Sequence, residues 1–105
     1  MYWLDPWWST ENHSPEFHQI FLKQLHLELP PDHALFGIPV RLIARGDSDD
    51  ALFQFLDGSG KVAVVHLTWA KSQERLPWPV TTVFSNMQEF IEKRMVPDHK
   101  EFIGE

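Results

Sequence analysis

The stretch that decides the fold is residues 51–69, ALFQFLDGSGKVAVVHLTW. Two apolar runs flank DGSG, which has the length and turn chemistry of a hairpin connection, so Ala51–Leu56 and Lys61–Trp69 are expected to pair antiparallel. In the extended second run Val62, Val64, His66 and Thr68 share one face, and Ala63, Val65, Leu67 and Trp69 the other. Both faces are apolar at its start. That predicts a central strand with helices on one side and the N-terminal segment or a partner on the other. His66 stands where the strand turns polar, and it has two readings. As a structural residue it is neutral, packed, and donates one ring N–H to a carbonyl or an aspartate. As a functional one it marks the floor of a site rimmed by Trp69 and the following loop. One histidine without an identified partner favours the structural reading.

Upstream, VRLIAR (40–45) sets Val40, Leu42 and Ala44 against Arg41, Ile43 and Arg45, a period of two that predicts another strand and extends the hairpin into a meander. Downstream, AKSQERLPWP (70–79) is polar and then proline-bounded, an exposed loop holding Trp78 between Pro77 and Pro79, and VTTVF (80–84) reads as a short fourth strand.

Helical signals stand at both ends of this core. Ser14 is an N-cap, Pro15 suits the first helical position and Glu16 complements the dipole, so a helix is expected from Pro15 to about Glu28, with Phe17, Ile20, Phe21 and Leu25 on one side. Leu25, Leu27 and Leu29 also alternate with His26 and Glu28, which leaves an extended last turn open. PPDHALFGIP (30–39) then forms a loop. Ser85 and Gln88 have the form of a capping box, and Met87, Phe90, Ile91 and Met95 follow helical spacing, predicting a second helix over Asn86–Met95 that Pro97 stops. DHKEFIGE (98–105) is left as a tail that docks through Phe102 and Ile103 or frays. The expected fold is one α+β domain over residues 1–105: an antiparallel three- to four-stranded meander with an N-terminal and a C-terminal helix packed on one face.

A chain of 105 residues with 43% apolar residues, eight Phe and five Trp has ample material for one core. Zero cysteines exclude disulfide frameworks and cysteine-based metal or redox motifs, which fits a cytoplasmic address. The N-terminus MYWLDPWWST lacks the basic region of a signal peptide, and no stretch approaches the ~18 apolar residues of a membrane span. A net charge of -6 without a basic patch disfavours nucleic acid and anionic membranes as partners.

The chemical candidates are few. Among the six histidines no metal-ligand spacing occurs within a helix, so neither a metal nor a cofactor is expected. GDSDD (46–50) misses the calcium-loop pattern at Ala51 and Leu52; its aspartates are expected to turn the chain, one of them partnering a nearby histidine or arginine. No nucleophile elbow, phosphate loop or dinucleotide fingerprint is present. Trp3, Trp7 and Trp8 are expected to fold back onto the sheet, because an acidic protein gains nothing from three exposed indoles.

The runs DDALFQFLDG, VVHLTWAKSQERLPWP and FSNMQEFIEKRM resemble a family of small uncharacterised bacterial proteins of one α+β domain. The resemblance implies a bacterial cytoplasmic origin and this fold class, and it carries no activity, cofactor or catalytic residue.

The expected function is a non-enzymatic protein-interaction module, inhibitor- or immunity-like by analogy of size and charge, that meets a basic protein partner. Its binding residues would be drawn from His66, Thr68, Trp69, Glu74, Arg75 and Trp78. The alternative is a small-ligand-binding protein or hydrolase with a pocket near His66 and Trp69.

Overall fold

A computed structural model describes residues 2–104; Met1 and Glu105, the last residue of the expected tail, lie outside it. Five antiparallel strands run in sequence order, β1 (Trp8–Ser9), β2 (Val40–Arg45), β3 (Asp50–Phe55), β4 (Val62–His66) and β5 (Thr81–Phe84), as one open meander. The class is α+β as the sequence reads, with one strand more. β1 pairs Trp8 with Arg45 and Ser9 with Ala44, and a two-residue strand leaves no periodicity to detect.

The helix α1 (Pro15–Glu28) starts as its signals dictate: the Ser14 hydroxyl accepts from the Phe17 N–H at 3.2 Å, and Pro15 opens the first turn. Its last turn is helical, so the alternation of Leu25, Leu27 and Leu29 is not used; Leu27 is exposed while the other two are buried. Ile20, expected on the packed side, also faces outward.

The two helices do not share a face. α1 lays Phe21 and Leu25 on Leu42, Ala51, Phe53, Ala63, Val65 and Leu67, forming a first core. The C-terminal helix lies across the opposite face with Trp7, packing Phe90 and Met95 on Ala44, Leu52, Val62, Val64 and Phe84. β4, buried on both faces from Val62 to Val65, is the central strand its composition predicts. The alternation of β2 is broken by a bulge between Leu42 and Ala44. The extra residue transfers Ala44 to the second core, away from Val40 and Leu42, and turns Arg45 over the Phe21 ring at 4.5 Å.

Pro97 does not end the second helix. α2 (Met87–Phe90) passes into a π-helical stretch, Ile91–Met95, and then α3 (Val96–Phe102) without a break. The Val96 N–H reaches back five residues to the Ile91 carbonyl, and this widened turn accommodates a proline that has no N–H to give and whose ring would strike a regular turn. The expected tail is thereby helical, with Phe102 and Ile103 exposed rather than docked. The cap is shifted by one residue: Asn86 Oδ1 accepts from the Glu89 N–H, and Glu89 Oε1 accepts from the Ser85 N–H, both at 2.9 Å.

Of the N-terminal tryptophans, Trp7 is 1% exposed, edge-on to Phe90 at 5.1 Å, and donates its indole N–H to Asp98 at 2.9 Å. Trp3 packs beside Phe90, and Trp8 is more than one-third exposed.

Candidate functional site

The end of the sheet where β4 hands over to the 67–80 segment is built on one buried carboxylate. Glu28 follows Phe21 and Leu25 at i+7 and i+3, on the apolar stripe of α1, and is fully buried there. Its Oε1 accepts from the Thr68 N–H and the Thr68 hydroxyl, both at 2.9 Å; its Oε2 accepts from the Trp69 N–H at 3.0 Å and from Gln24 Nε2. These donors satisfy a group that would otherwise be costly inside the fold. They also hold Trp69 at φ 57°, a left-handed conformation that disfavours a residue with a Cβ by about 1–2 kcal/mol.

The loop that follows is moored along its length. Gln24 Nε2 holds the Ala70 carbonyl, Gln73 Nε2 donates to the Leu29 carbonyl, and the Glu74 N–H donates to the Glu28 carbonyl. At the far end the buried His33 takes over. Its Nδ1 accepts from the Leu35 N–H at 3.0 Å, which makes Nε2 the protonated nitrogen, and Nε2 donates to the Pro79 carbonyl at 2.9 Å. Between these moorings the Trp78 N–H closes a turn on the Arg75 carbonyl, and Leu76, Trp78 and Val80 stand 49%, 45% and 44% exposed.

His66 belongs to a different cluster. Its side chain emerges on the second face, nearly half exposed, with Nδ1 2.9 Å from Asp50 Oδ1. Asp50 Oδ2 accepts from Arg94 at 2.8 Å, Arg94 Nε donates to Asp98 Oδ2 at 2.9 Å, and the same oxygen accepts from Trp7. Asp50 is thus the aspartate of GDSDD that partners both a histidine and an arginine. His66 is bonded as the structural reading requires but is not packed; the buried histidine, bonded to Leu35, Pro79 and the Thr81 hydroxyl, is His33.

The expected binding residues therefore divide into three groups. Thr68 and Trp69 close on Glu28, with the backbone of Glu74 beside them; the Trp69 indole N–H reaches Asp49 at 3.2 Å and its ring stands edge-on to Phe21 at 5.3 Å. His66 is on the opposite face with Asp50 and Arg94. Arg75 and Trp78 lie on the loop, exposed. They separate because β4 ends at His66, and beyond it the Glu28 carboxylate takes the N–H and hydroxyl of Thr68. Burial pulls the Arg45 guanidinium below its ordinary value, with Asp49 and Asp50 opposing.

Glu28, His33 and Arg94 were not singled out from the sequence. For Glu28 a signal existed, since its spacing from Phe21 and Leu25 puts it on the buried stripe. Open clefts among the described residues include two of note. One, of about 510 Å³, is lined by Trp3, Glu11, His18, Arg41, Ile43 and Met87 among others; the other, of about 390 Å³, by Asp47, Ser48, Asp50, Arg94, Asp98 and Glu101 with their neighbours. Neither is lined by His66 or Trp69. Among the described residues no group of three or more histidines and carboxylates is placed to hold a metal ion, and no helix is long and apolar enough to cross a membrane. No protein-family model matches the chain, and neither a curated protein nor a solved structure shows significant similarity to it.

Proposed function

We propose that the protein is a non-enzymatic protein-interaction module of a bacterial cytoplasm, with the 70–80 loop as its contact surface. The observation that carries this reading is the loop itself: moored at residues 68, 69, 70, 73, 74 and 79, it still presents Leu76 and Trp78 to solvent. A loop ordered before it meets a partner loses little conformational freedom on binding, and an exposed tryptophan between prolines is a rigid anchor for a partner's pocket. The net charge of -6 favours a basic protein as that partner and disfavours nucleic acid. The test is affinity capture with the wild-type chain and with Leu76→Ser/Trp78→Ser. A basic protein held by the first and lost by the second, with the unfolding curve unchanged, supports the reading. A partner retained equally by both overturns it.

A second reading, a small-ligand-binding protein or hydrolase, draws support from one contact. Asp50 fixes His66 through Nδ1, and among the described residues Nε2 has no hydrogen-bond partner, as a general base requires. A hydrolytic activity abolished by His66→Gln in a stably folded chain would favour it.

A further inference from the structure

Going beyond that reading, we propose that the outer edge of β5 pairs with the same edge of a second copy of this chain, joining two five-stranded sheets through a two-fold axis at Thr82. β5 is the last strand of the meander, and only its inner side is paired, with β4. The His66 N–H bonds the Val80 carbonyl at 2.9 Å, and the antiparallel alternation from that bond turns residues 82 and 84 inward to Val64 and Val62. The main-chain N–H and C=O of Thr81 and Val83 therefore face outward, and among the described residues they meet no side-chain or loop partner.

Proteins blunt such an edge with charge, proline or a bulge. β5 carries none of these within Thr81–Phe84, and the longer run LPWPVTTVF, residues 76–84, has no charged side chain. In a chain of net charge -6 this is a surface that two copies can bring together without setting carboxylate against carboxylate. The Val83 side chain, 42% exposed, gains cover in the pairing.

The register follows from the outward groups. Thr81 of one copy opposes Val83 of the other and the reverse, each pair exchanging two hydrogen bonds. Pro79 has no N–H to extend the ladder, and the Ser85 N–H is already given to Glu89, so the match is confined to this register. The opposite sheet edge, the two-residue β1, is too short to receive β5. Pairing is therefore isologous and closes at two copies instead of growing into a filament. The antiparallel arrangement places the two 70–80 loops at opposite ends of the joint, leaving each free for its own partner. So small a contact makes the association weak and reversible.

Sedimentation velocity from about 1 µM to 1 mM tests this. The expected result is a reversible shift towards twice the 12.3 kDa of the chain, accompanied by slowed hydrogen exchange at the Thr81 and Val83 amides as concentration rises. Val83→Lys, which adds the missing edge charge on an exposed side chain, should weaken the association roughly 100-fold because the two-fold axis introduces it twice. Thr82→Lys is the second variant should the first unfold. A chain that stays monomeric throughout, a dimer indifferent to the folded variant, or protection of these amides only by a different protein each overturns the assignment.

Discussion

Thr68 and Glu28, forty positions apart, are joined twice, through the backbone N–H and the hydroxyl of Thr68 to one carboxylate oxygen at 2.9 Å each. A glutamine at position 28 has the same shape but turns its amide nitrogen towards donors on one side. Glu28→Gln should lower unfolding free energy by about 2 kcal/mol and speed hydrogen exchange at the Thr68 and Trp69 amides. An unchanged denaturation midpoint would show that these bonds do not hold the loop.

Gly46 lies against the buried Trp7 ring, and a Cβ there would stand 2.9 Å from three of its carbons. Gly46→Ala should destabilise by about 1–3 kcal/mol, and less in a Trp7→Leu background, where the smaller side chain makes room. Additive losses in chemical denaturation would mean that the ring is not what the new methyl meets. Deleting residues 1–8 should remove about 3 kcal/mol or more with the Trp7 side chain.

Two histidines, one buried and one exposed, should behave differently on substitution. His33, 7% exposed, leaves the Leu35 N–H without its acceptor and the Pro79 carbonyl with the Thr81 hydroxyl as its donor when replaced, so His33→Leu should cost about 2–3 kcal/mol. His66 is nearly half exposed on a solvent-screened contact, so His66→Gln should change stability by less than about 1 kcal/mol. Thermal unfolding of the two variants compares them directly, and the reverse order would reassign the roles.

The Ser85 N–H, and after it Lys93, hold the Glu89 carboxyl below its ordinary value of 4.5. The Ser59 hydroxyl and N–H do the same for Asp57. A depressed carboxyl pKa contributes stability that is complete above the unfolded value and lost as pH falls through the lower folded one. Melting temperature should accordingly fall on acidification below about pH 4.5, and the slope should be shallower in Glu89→Gln. Identical acid limbs in variant and wild type would remove Glu89 from this account.

The hairpin through DGSG, the Ser14–Pro15 helix start and the doubly buried β4 were legible because each is written in neighbouring residues. The bulge at Ile43, the π turn before Pro97 and the choice of opposite faces for the two helices were not. Each depends on what a residue meets across the fold: Ala44 on Leu52, Phe90 on Trp7, Arg94 on Asp50. The same holds at the candidate site. The alternation of β4 could be extended to Thr68 and Trp69 on paper, but the distant Glu28 carboxylate turns them away from it.

The two cores also differ in when they become possible during synthesis. Residues 17–67 contain every member of the first, so it can assemble while the rest of the chain is still being made. The second needs Trp3 and Trp7 from the start of the sequence and Phe84, Phe90 and Met95 from near its end. Until those arrive, one side of the sheet and two indoles have nothing to cover them, and a nascent chain of this protein is most exposed to aggregation in that interval.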